Sequence, residues 1–213
     1  MCGRYALHSL IDDLQRHFGF PGGADFKPRY NIAPSYHLPV VRKGDGGREL
    51  ALCQWGFVPH WMKSEPKTRP INARAETVAE KPFFRSAFRH HRCLVPANGY
   101  YEWKKEGRGK QPWFIHPKDQ ALFAFAGLWD RWTGADGVLD TFTIITTSAN
   151  PSTASIHDRM PVILPPGQYD TWLEAGGKDL LRPYAGEMEA WPVSREVNTP
   201  ANDHPHLLDR QSG

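Results

Sequence analysis

Short apolar runs recur along the chain, and turns that contain glycine and proline separate them. Runs of this length and spacing predict the strands of a mostly antiparallel fold rather than long helices. The predicted strands cover residues 50–57, 93–95, 100–104, 113–116, 122–128, 141–147, 162–164 and 189–193. Glycine-containing loops at 44–48, 107–110 and 134–137 are expected to turn hairpins within one domain.

Helical spacing of apolar residues is restricted to short segments. Ser9 begins a segment that resembles a capping box, and Gly19 is expected to end the helix that follows. The apolar face of this helix is predicted to consist of Leu10, Ile11, Leu14 and Phe18. Further helices are predicted at 83–91, 168–173 and 180–184, and the first of these exposes Arg85 and Arg89 on its polar side.

These elements together predict an α+β fold with a single domain. Its core is expected to be a curved antiparallel β-sheet or open barrel, with a few helices at the periphery. We expect this domain to span residues 1–202, and residues 203–213 to form a frayed C-terminal tail. A chain of 213 residues is long enough to bury a substantial core.

Net charge and cysteine content indicate which partners and which cellular compartment fit the protein. A net charge of +3 is compatible with a nucleic-acid partner without requiring one. The cysteines are Cys2, Cys53 and Cys93, an odd number without CxxC spacing, which favours a reducing compartment over a disulfide framework. Because there is no apolar signal region and no long apolar run, we expect a cytoplasmic protein without a membrane partner. A monomer is the default expectation.

The first candidate for a reactive residue is Cys2, which directly follows Met1. Removal of Met1 would leave an exposed terminus with a thiol and a free α-amine on adjacent carbons. The ordinary pKa values of these groups, about 8.5 and about 7.7–8.0, leave each partly in its nucleophilic form near neutrality. Such a 1,2-aminothiol can take an aldehyde as a Schiff base and then close a five-membered thiazolidine ring. By contrast, Cys53 and Cys93 lie in apolar strands and are expected to be core residues.

Three further segments, at residues 70–77, 98–103 and 155–161, combine chemically active side chains with tight-turn residues. Alternation in the first of them puts Asn72, Arg74 and Glu76 on one face of an extended chain. Each segment taken singly also fits a structural role, such as a turn or a surface ion pair worth less than about 1 kcal/mol. We expect no cofactor and no metal, because the ten histidines lack zinc-ligand spacing with cysteine support.

The motifs taken together resemble those of the SOS-response-associated peptidase (SRAP) family. The matching segments are Met1-Cys2-Gly3-Arg4-Tyr5, Arg29-Tyr30-Asn31-Ile32-Ala33-Pro34, Trp55-Gly56-Phe57-Val58-Pro59, Ile71-Asn72-Ala73-Arg74-Ala75-Glu76-Thr77, Tyr101-Glu102-Trp103-Lys104, Ile156-His157-Asp158-Arg159-Met160-Pro161 and Trp191-Pro192-Val193-Ser194. They span nearly the whole chain in the expected order.

The resemblance implies a protein that shields abasic sites in single-stranded DNA by a covalent thiazolidine crosslink. Its nucleophile would be Cys2, freed by autoproteolytic or aminopeptidase removal of Met1, so that the activity is lyase-like or that of a thiol autopeptidase. The implied active-site companions are Asn72, Glu102 and His157, and burial beside aromatic rings should raise the pKa of Glu102. The residues implied to contact DNA are Arg4, Asn31, Pro34, Trp61, Arg74, Thr146 and Arg159.

Three other functions use some of the same residues. An N-terminal-nucleophile amidohydrolase would use Cys2 with an oxyanion site at Asn98-Gly99. A thiol peptidase would use Cys2, His157 and Asp158 as a triad. A non-catalytic reader of modified bases would explain the aromatic and arginine residues but leave the terminal thiol without a role.

Overall fold

The computed structural model describes residues 2–22, 26–135 and 137–211, which form thirteen strands and three α-helices. The strands are β1 (Tyr5–Leu7), β2 (Arg29–Ile32), β3 (His37–Gly44), β4 (Gly47–Trp55), β5 (Asn72–Arg74), β6 (Arg92–Ala97), β7 (Gly99–Glu106), β8 (Gly109–Pro117), β9 (Phe123–Gly134), β10 (Gly137–Ser148), β11 (Arg159–Pro161), β12 (Ile163–Leu164) and β13 (Met188–Pro192). The helices are α1 (Ile11–Phe18), α2 (Arg85–His90) and α3 (Tyr169–Glu174). Within these ranges, no helix has the length and apolar character needed to cross a membrane.

The core is a barrel of five strands in the order β10-β4-β3-β6-β9, closed by the pairing of β9 with β10. Four of its five pairings are antiparallel, and the β4–β10 pairing is parallel. Closure leaves the barrel strands without a free edge, which stabilises a strand-rich domain against edge-to-edge association. The predicted α+β fold is confirmed, and its core is a closed barrel where a curved antiparallel sheet or open barrel was expected.

Large aromatic rings and small residues fill the barrel together. The rings of Trp55 and Phe142 stack with centroids 6.2 Å apart, and both side chains are buried. Gly127 of β9 lets β6 approach closely, since a Cβ there would lie 2.8 Å from the sulfur of Cys93. Cys53 and Cys93 are both fully buried, so the prediction that they belong to the core is confirmed.

A second sheet of five strands, in the order β13-β8-β7-β1-β2, packs beside the barrel. Strand β1 joins the two sheets, because the ring of Tyr5 contacts Trp55 at 5.3 Å and Phe125 at 5.9 Å between centroids. On this sheet Tyr5 pairs with Tyr100 of β7. The chain immediately before β1 is therefore held between the aromatic core and strand β7.

Helix α1 ends at Gly19 in the left-handed conformation, as predicted, but Ser9 does not cap it. The Oγ of Ser9 accepts a hydrogen bond from the side chain of Asn98 at 2.8 Å, so this oxygen is already engaged. The helix begins after Leu10, which is 61% exposed and is not part of the apolar face. The prediction was wrong on both points because a long-range contact overrides the local motif.

Other predicted elements shift or change type. The helix predicted at 83–91 is the shorter α2, and the one at 168–173 is α3 preceded by a 3-10 turn. The prediction of a helix at 180–184 is wrong. This stretch contributes only the end of a 3-10 turn at Lys178–Leu180. Pro183 follows, and proline is disfavoured in a helix interior. Strands β1, β2, β3, β5 and β11 were not among the predicted strands.

The residues from Asp203 to Gln211 are packed rather than frayed. Leu207 is fully buried, and the indole of Trp191 donates to the carbonyl of Leu208 at 2.8 Å. The carboxylate of Asp203 accepts from the backbone N–H groups of Tyr30 and Asn31 at 2.6 and 3.1 Å. These contacts attach the C-terminal segment to β2, next to the strand that follows Cys2.

Candidate active site

Cys2 lies against strand β7, beside the carboxylate of Glu102. The backbone N–H of Tyr101 donates to the carbonyl of Arg4 at 2.9 Å, which aligns residues 2–4 with the start of β7. The side chain of Cys2 is fully buried, so the expectation of an exposed terminus is wrong for this side chain. Burial, and secondarily the nearby charge of Glu102, raises the pKa of the Cys2 thiol far above its ordinary value. The sulfur is thus held as a protonated thiol.

Glu102 is the buried carboxylate of the site. It is 3% exposed and lies between Tyr101 and Trp103 on β7. Burial raises the pKa of Glu102, although the neighbouring His157 acts in the opposite direction. The expectation of a raised carboxyl pKa is confirmed. A carboxyl group with a raised pKa holds a proton more readily than an ordinary one, and it can both accept and return a proton.

His157 faces Glu102 with its Nε2 atom, 4.0 Å from Oε2. The backbone N–H of Arg159 donates to Nδ1 at 2.9 Å, so Nδ1 acts as an acceptor and the neutral ring carries its proton on Nε2. The carboxylate of Asp158 also lies 2.9 Å from Nδ1, but its side chain is 87% exposed. Because one lone pair on Nδ1 already binds the Arg159 amide, Asp158 is poorly suited to orient this ring as the third member of a thiol-peptidase triad.

Asn72 begins strand β5, which pairs in parallel with β10. Its amide nitrogen is 3.5 Å from the carbonyl of Ile144, and its Oδ1 is a buried acceptor without a hydrogen-bond partner among the residues that the structure describes. The carbonyl of Ile71 accepts from the Trp55 indole at 2.9 Å, and Trp55 in turn packs on Tyr5. Two contacts therefore connect the strand of Asn72 to the strand that follows Cys2.

Two buried tyrosines were not recognised from the sequence. Tyr5 and Tyr100 are paired across β1 and β7, and both are fully buried. The pKa of each phenol is raised, first by burial and then by the nearby Cys2. Their hydroxyls therefore lie near the Cys2 thiol as neutral groups. The sequence marked both only as members of aromatic motifs.

Arg4 and Asn31 form one hydrogen-bonded unit. The guanidinium of Arg4 donates to Asn31 Oδ1 at 2.8 Å and to the carbonyl of Val197 at 2.7 Å. Asn31 is fully buried, and its Nδ2 lies within 3.2 Å of the carbonyls of Val197, Thr199 and Asn202. Asn31 thus positions Arg4, and its own side chain is not at the surface.

The predicted residues on the other side of the site gather around β10. Arg74 and Thr146 are paired across β5 and β10, and Arg159 begins the adjacent β11. The guanidinium of Arg159 donates to the Thr146 carbonyl at 2.7 Å and binds both oxygens of Glu76. The alternation predicted here is confirmed, since Ala73 is buried while Arg74 and Glu76 are exposed.

The remaining two predicted DNA contacts line separate grooves. Pro34 lines a groove of about 520 Å³ together with Ile71, the neighbour of Asn72. Trp61 lines another groove of about 480 Å³ and is 48% exposed, with its ring edge against Phe83. No contact of the described residues joins Trp61 directly to Cys2.

Asn98 is a structural residue rather than an oxyanion donor. Its Oδ1 accepts from the backbone N–H groups of His8 and Ser9 at 2.7 and 3.0 Å. Its Nδ2 donates to Ser9 Oγ at 2.8 Å and to the carbonyl of Ala121 at 2.5 Å. All of these groups are engaged within the fold, which removes the main support for an amidohydrolase.

We expect Asn98→Ala to lower the free energy of unfolding by about 3 kcal/mol, because two backbone donors lose their acceptor in a buried setting. For a domain of this size that corresponds to a fall in melting temperature of roughly 10 °C, measured by circular dichroism. Asn98→Asp keeps both acceptor contacts but sets an oxygen against the Ala121 carbonyl, so its melting temperature reports the loss of the donor alone. An unchanged melting temperature with lost activity would instead restore the oxyanion role.

Across 2–22, 26–135 and 137–211, no group of three or more His, Cys, Asp or Glu side chains is arranged to hold a metal ion. The titratable groups around Cys2 are Glu102, with His157 facing it, and the hydroxyls of Tyr5 and Tyr100.

Comparison with known proteins assigns the family. The family model described as "SOS response associated peptidase (SRAP)" matches residues 1–200. The chain belongs to the SRAP family. A crystal structure of a protein from Bacteroides thetaiotaomicron has a TM-score of 0.89 and 30% identity, and the match covers 99% of this chain and 100% of that one.

Three relatives that carry a functional name align over nearly the whole of this chain. "Abasic site processing protein YoaM" of Bacillus subtilis is 42% identical, over 100% of this SRAP chain and 99% of its own. "Abasic site processing protein YedK" of Escherichia coli is 33% identical, over 98% and 99%. "Abasic site processing protein HMCES" of Xenopus tropicalis is 30% identical, over 98% and 78%.

Proposed function

We propose that this SRAP protein processes abasic sites in single-stranded DNA by forming a thiazolidine between Cys2 and the ring-opened deoxyribose. The observation that carries the proposal is the burial of Glu102 beside Cys2 and opposite His157, which gives an N-terminal cysteine a proton acceptor and donor with a raised pKa. The names of three relatives, each an abasic site processing protein, support the substrate class.

The chemistry first requires the α-amine of Cys2. In the printed chain this nitrogen is part of the peptide bond to Met1, so hydrolysis of that bond must consume one water and release methionine. The neutral amine then attacks C1 of the sugar aldehyde. Glu102 accepts the proton that nitrogen loses and returns it to the departing hydroxyl, so that one water leaves and a C=N bond forms.

The second step closes the ring. The Cys2 sulfur attacks the imine carbon, a C–S bond forms, and the thiol proton moves to nitrogen through Glu102. No oxidant or reductant is needed, since the thiol adds across the C=N bond. Because the pKa of the buried thiol is raised, this proton must have a nearby acceptor before sulfur becomes a strong nucleophile.

Asn72 and His157 act on the sugar rather than on sulfur. The buried, unpartnered Oδ1 of Asn72 is suited to accept from the Cys2 amine or from a sugar hydroxyl. His157, with its proton on Nε2, exchanges a proton with the sugar hydroxyl during ring opening. The same exchange in reverse would assist release of the DNA.

Arginines on both sides of the site bind the phosphodiester backbone. Arg4 is held by Asn31 and lies 5.9 Å from the centre of the Trp103 ring, while Arg159 is held by Glu76. Arg74 adds an exposed guanidinium next to Thr146. Contacts of this kind carry no base specificity, which suits a lesion that has lost its base.

A trapping experiment tests the proposal. Purified protein is incubated with a single-stranded oligonucleotide that carries one abasic site, and with the same oligonucleotide undamaged. We expect a heat-stable adduct on a denaturing gel with the first and none with the second. Intact mass should give the protein without Met1 plus the oligonucleotide minus one water. Equal adduct with undamaged DNA, or an adduct attached at another residue, would refute the mechanism.

A further inference from the structure

His157 lies in an irregular turn that connects strands β10 and β11. The turn spans residues 149–158, and we call it the histidine turn. The backbone N–H of Ala149 donates to the carbonyl of Asp158 at 2.9 Å, which closes the turn at its base. Because no residue of the turn belongs to a helix or strand, the position of His157 depends on contacts of individual side chains and backbone groups.

Asn150 holds the histidine turn from within. It is 4% exposed, and its Oδ1 accepts from the backbone N–H of Thr153 at 3.2 Å and from the Thr153 hydroxyl at 3.0 Å. The carbonyl of Thr153 in turn accepts from the backbone N–H groups of Ile156 and His157 at 2.9 and 3.2 Å. Two steps of hydrogen bonding thus lead from the amide of Asn150 to the backbone of His157.

The other side of the Asn150 amide is bound outside the turn. Its Nδ2 donates to the carbonyl of Tyr184 at 3.0 Å. The Tyr184 hydroxyl donates to Asp119 Oδ1 at 3.1 Å and accepts from Gln120 Nε2 at 2.7 Å, so this anchor is itself held. The backbone N–H of Asn150 donates to the sulfur of the buried Met160 at 3.3 Å. Asn150 therefore ties the histidine turn to the segment that follows β8.

Burial favours one arrangement of this turn. A buried amide that loses a partner bears the free-energy cost of an unsatisfied polar group, so alternative arrangements of the turn are disfavoured. The favoured arrangement is the one in which Nε2 of His157 faces Glu102 at 4.0 Å. The hydroxyl of Thr153 also lies near the phenol of Tyr100, one of the groups around Cys2.

We propose that Asn150 is a positioning residue of the crosslinking reaction, which acts through Thr153 to orient His157. It does not act on the sugar itself. It fixes the distance and direction over which His157 exchanges a proton with the sugar hydroxyl. A displacement of about 1 Å at such a group can lower a rate by about 100-fold. The inference rests on the proposed function for the reaction, but not for the orientation of the ring.

Single-turnover crosslinking to an abasic single-stranded oligonucleotide, at saturating protein, tests this role. We expect Asn150→Ala to slow the reaction about 10- to 100-fold, while oligonucleotide affinity, measured by anisotropy on proteins that also carry Cys2→Ser, stays the same. In a protein that already carries His157→Gln, Asn150→Ala should change the rate by less than about threefold, because both substitutions remove the same interaction. An unchanged rate in Asn150→Ala, or losses that multiply in the double variant, would overturn the proposal.

Two kinds of control distinguish positioning from a general loss of stability. Asn98→Ala removes a comparably buried amide that binds no residue of the histidine turn, so it should lower the melting temperature and leave the crosslinking rate unchanged. Thr153→Ser keeps the hydroxyl that donates to Asn150 and should react at the parent rate. Thr153→Val lacks this one hydrogen bond and should be about three- to tenfold slower. Equal slowing in Asn98→Ala, or equal rates in the two Thr153 variants, would contradict the positioning role.

A spectroscopic measurement without DNA separates this inference from the proposed function. Since Nδ1 of His157 accepts from the Arg159 N–H, the NMR shifts of the ring nitrogens should report the Nε2–H tautomer in the parent protein. The signals are assigned with His157→Gln and recorded at a pH well above the ordinary pKa of histidine. Asn150→Ala should move them toward the averaged values of free imidazole, and Asn98→Ala should not. A parent protein that forms no adduct would refute the proposed function, whereas ring signals that Asn150→Ala leaves unchanged would refute the present inference with crosslinking intact.

Discussion

Cys2→Ser is expected to abolish the heat-stable adduct with abasic DNA, with a loss of at least about 100-fold on a denaturing gel. The serine amine can still form an imine, but its hydroxyl is a much weaker nucleophile than a thiol and closes no stable ring. Added cyanoborohydride should therefore recover an adduct from Cys2→Ser by reducing the imine. This result would separate the role of nitrogen from that of sulfur.

The other cysteines provide matched controls. Cys53 and Cys93 are buried in β4 and β6, so Cys53→Ala and Cys93→Ala should crosslink at the rate of the unmodified protein once folded. Their melting temperatures are to be measured alongside, since both substitutions leave small cavities. A heat-stable adduct from Cys2→Ser without any reductant would eliminate the thiazolidine mechanism.

Glu102→Gln is expected to slow crosslinking by about 10²–10⁴-fold at neutral pH, because the amide neither accepts nor returns a proton. In the unmodified protein the rate should fall as pH is lowered through the pKa of Glu102, which burial raises above that of an ordinary carboxyl. In the pH profile of Glu102→Gln, this fall of the crosslinking rate at low pH should be absent. Rates of single-turnover crosslinking over a pH series provide the measurement, and an unchanged rate in Glu102→Gln would exclude the proton-transfer role.

The same substitution should stabilise the fold. Since the folded-state pKa of Glu102 is raised, the folded protein binds more protons than the unfolded chain between the two pKa values, and stability falls as pH rises through that window. At pH values above that window the ionised buried carboxylate is a cost, which glutamine removes. We expect a gain of about 0.5–2 kcal/mol. Glu106→Gln, on the exposed end of the same strand, should change neither melting temperature nor rate, and a less stable Glu102→Gln would contradict the sign.

The hairpins of the fold were predictable because their signals are local. The turns at 44–48 and 107–110 join β3 to β4 and β7 to β8, as the glycines between apolar runs indicate, and β9 pairs with β10 on the two sides of the third predicted turn. Closure of the barrel was not predictable, because the parallel β4–β10 pairing joins strands far apart in the chain. Of the missed strands, β1, β2, β5 and β11 have three or four residues each, too few to set a clear period.

Within the candidate site, the raised pKa of Glu102 was predictable from the aromatic residues on both sides of it. The full burial of Cys2 was not, since it depends on strand β7 and the barrel core. Outside that site, the buried Asp130 was also missed, because its partners His60 and His91 are distant in sequence and only the fold brings the three together. The role of Asn31 in holding Arg4 likewise depends on carbonyls near residue 200.

The attachment of Asp203 to β2 affects how the protein matures during synthesis. Chains usually fold from the N-terminus as they emerge from the ribosome. Here Arg4 is held by Asn31, and Asn31 by carbonyls of 197, 199 and 202 together with Asp203, all of which are translated about 200 residues after Cys2. The segment around Arg4 in a nascent chain therefore lacks its full set of supports until translation reaches this region, so the N-terminal strand takes its final position only after nearly the whole chain has been made.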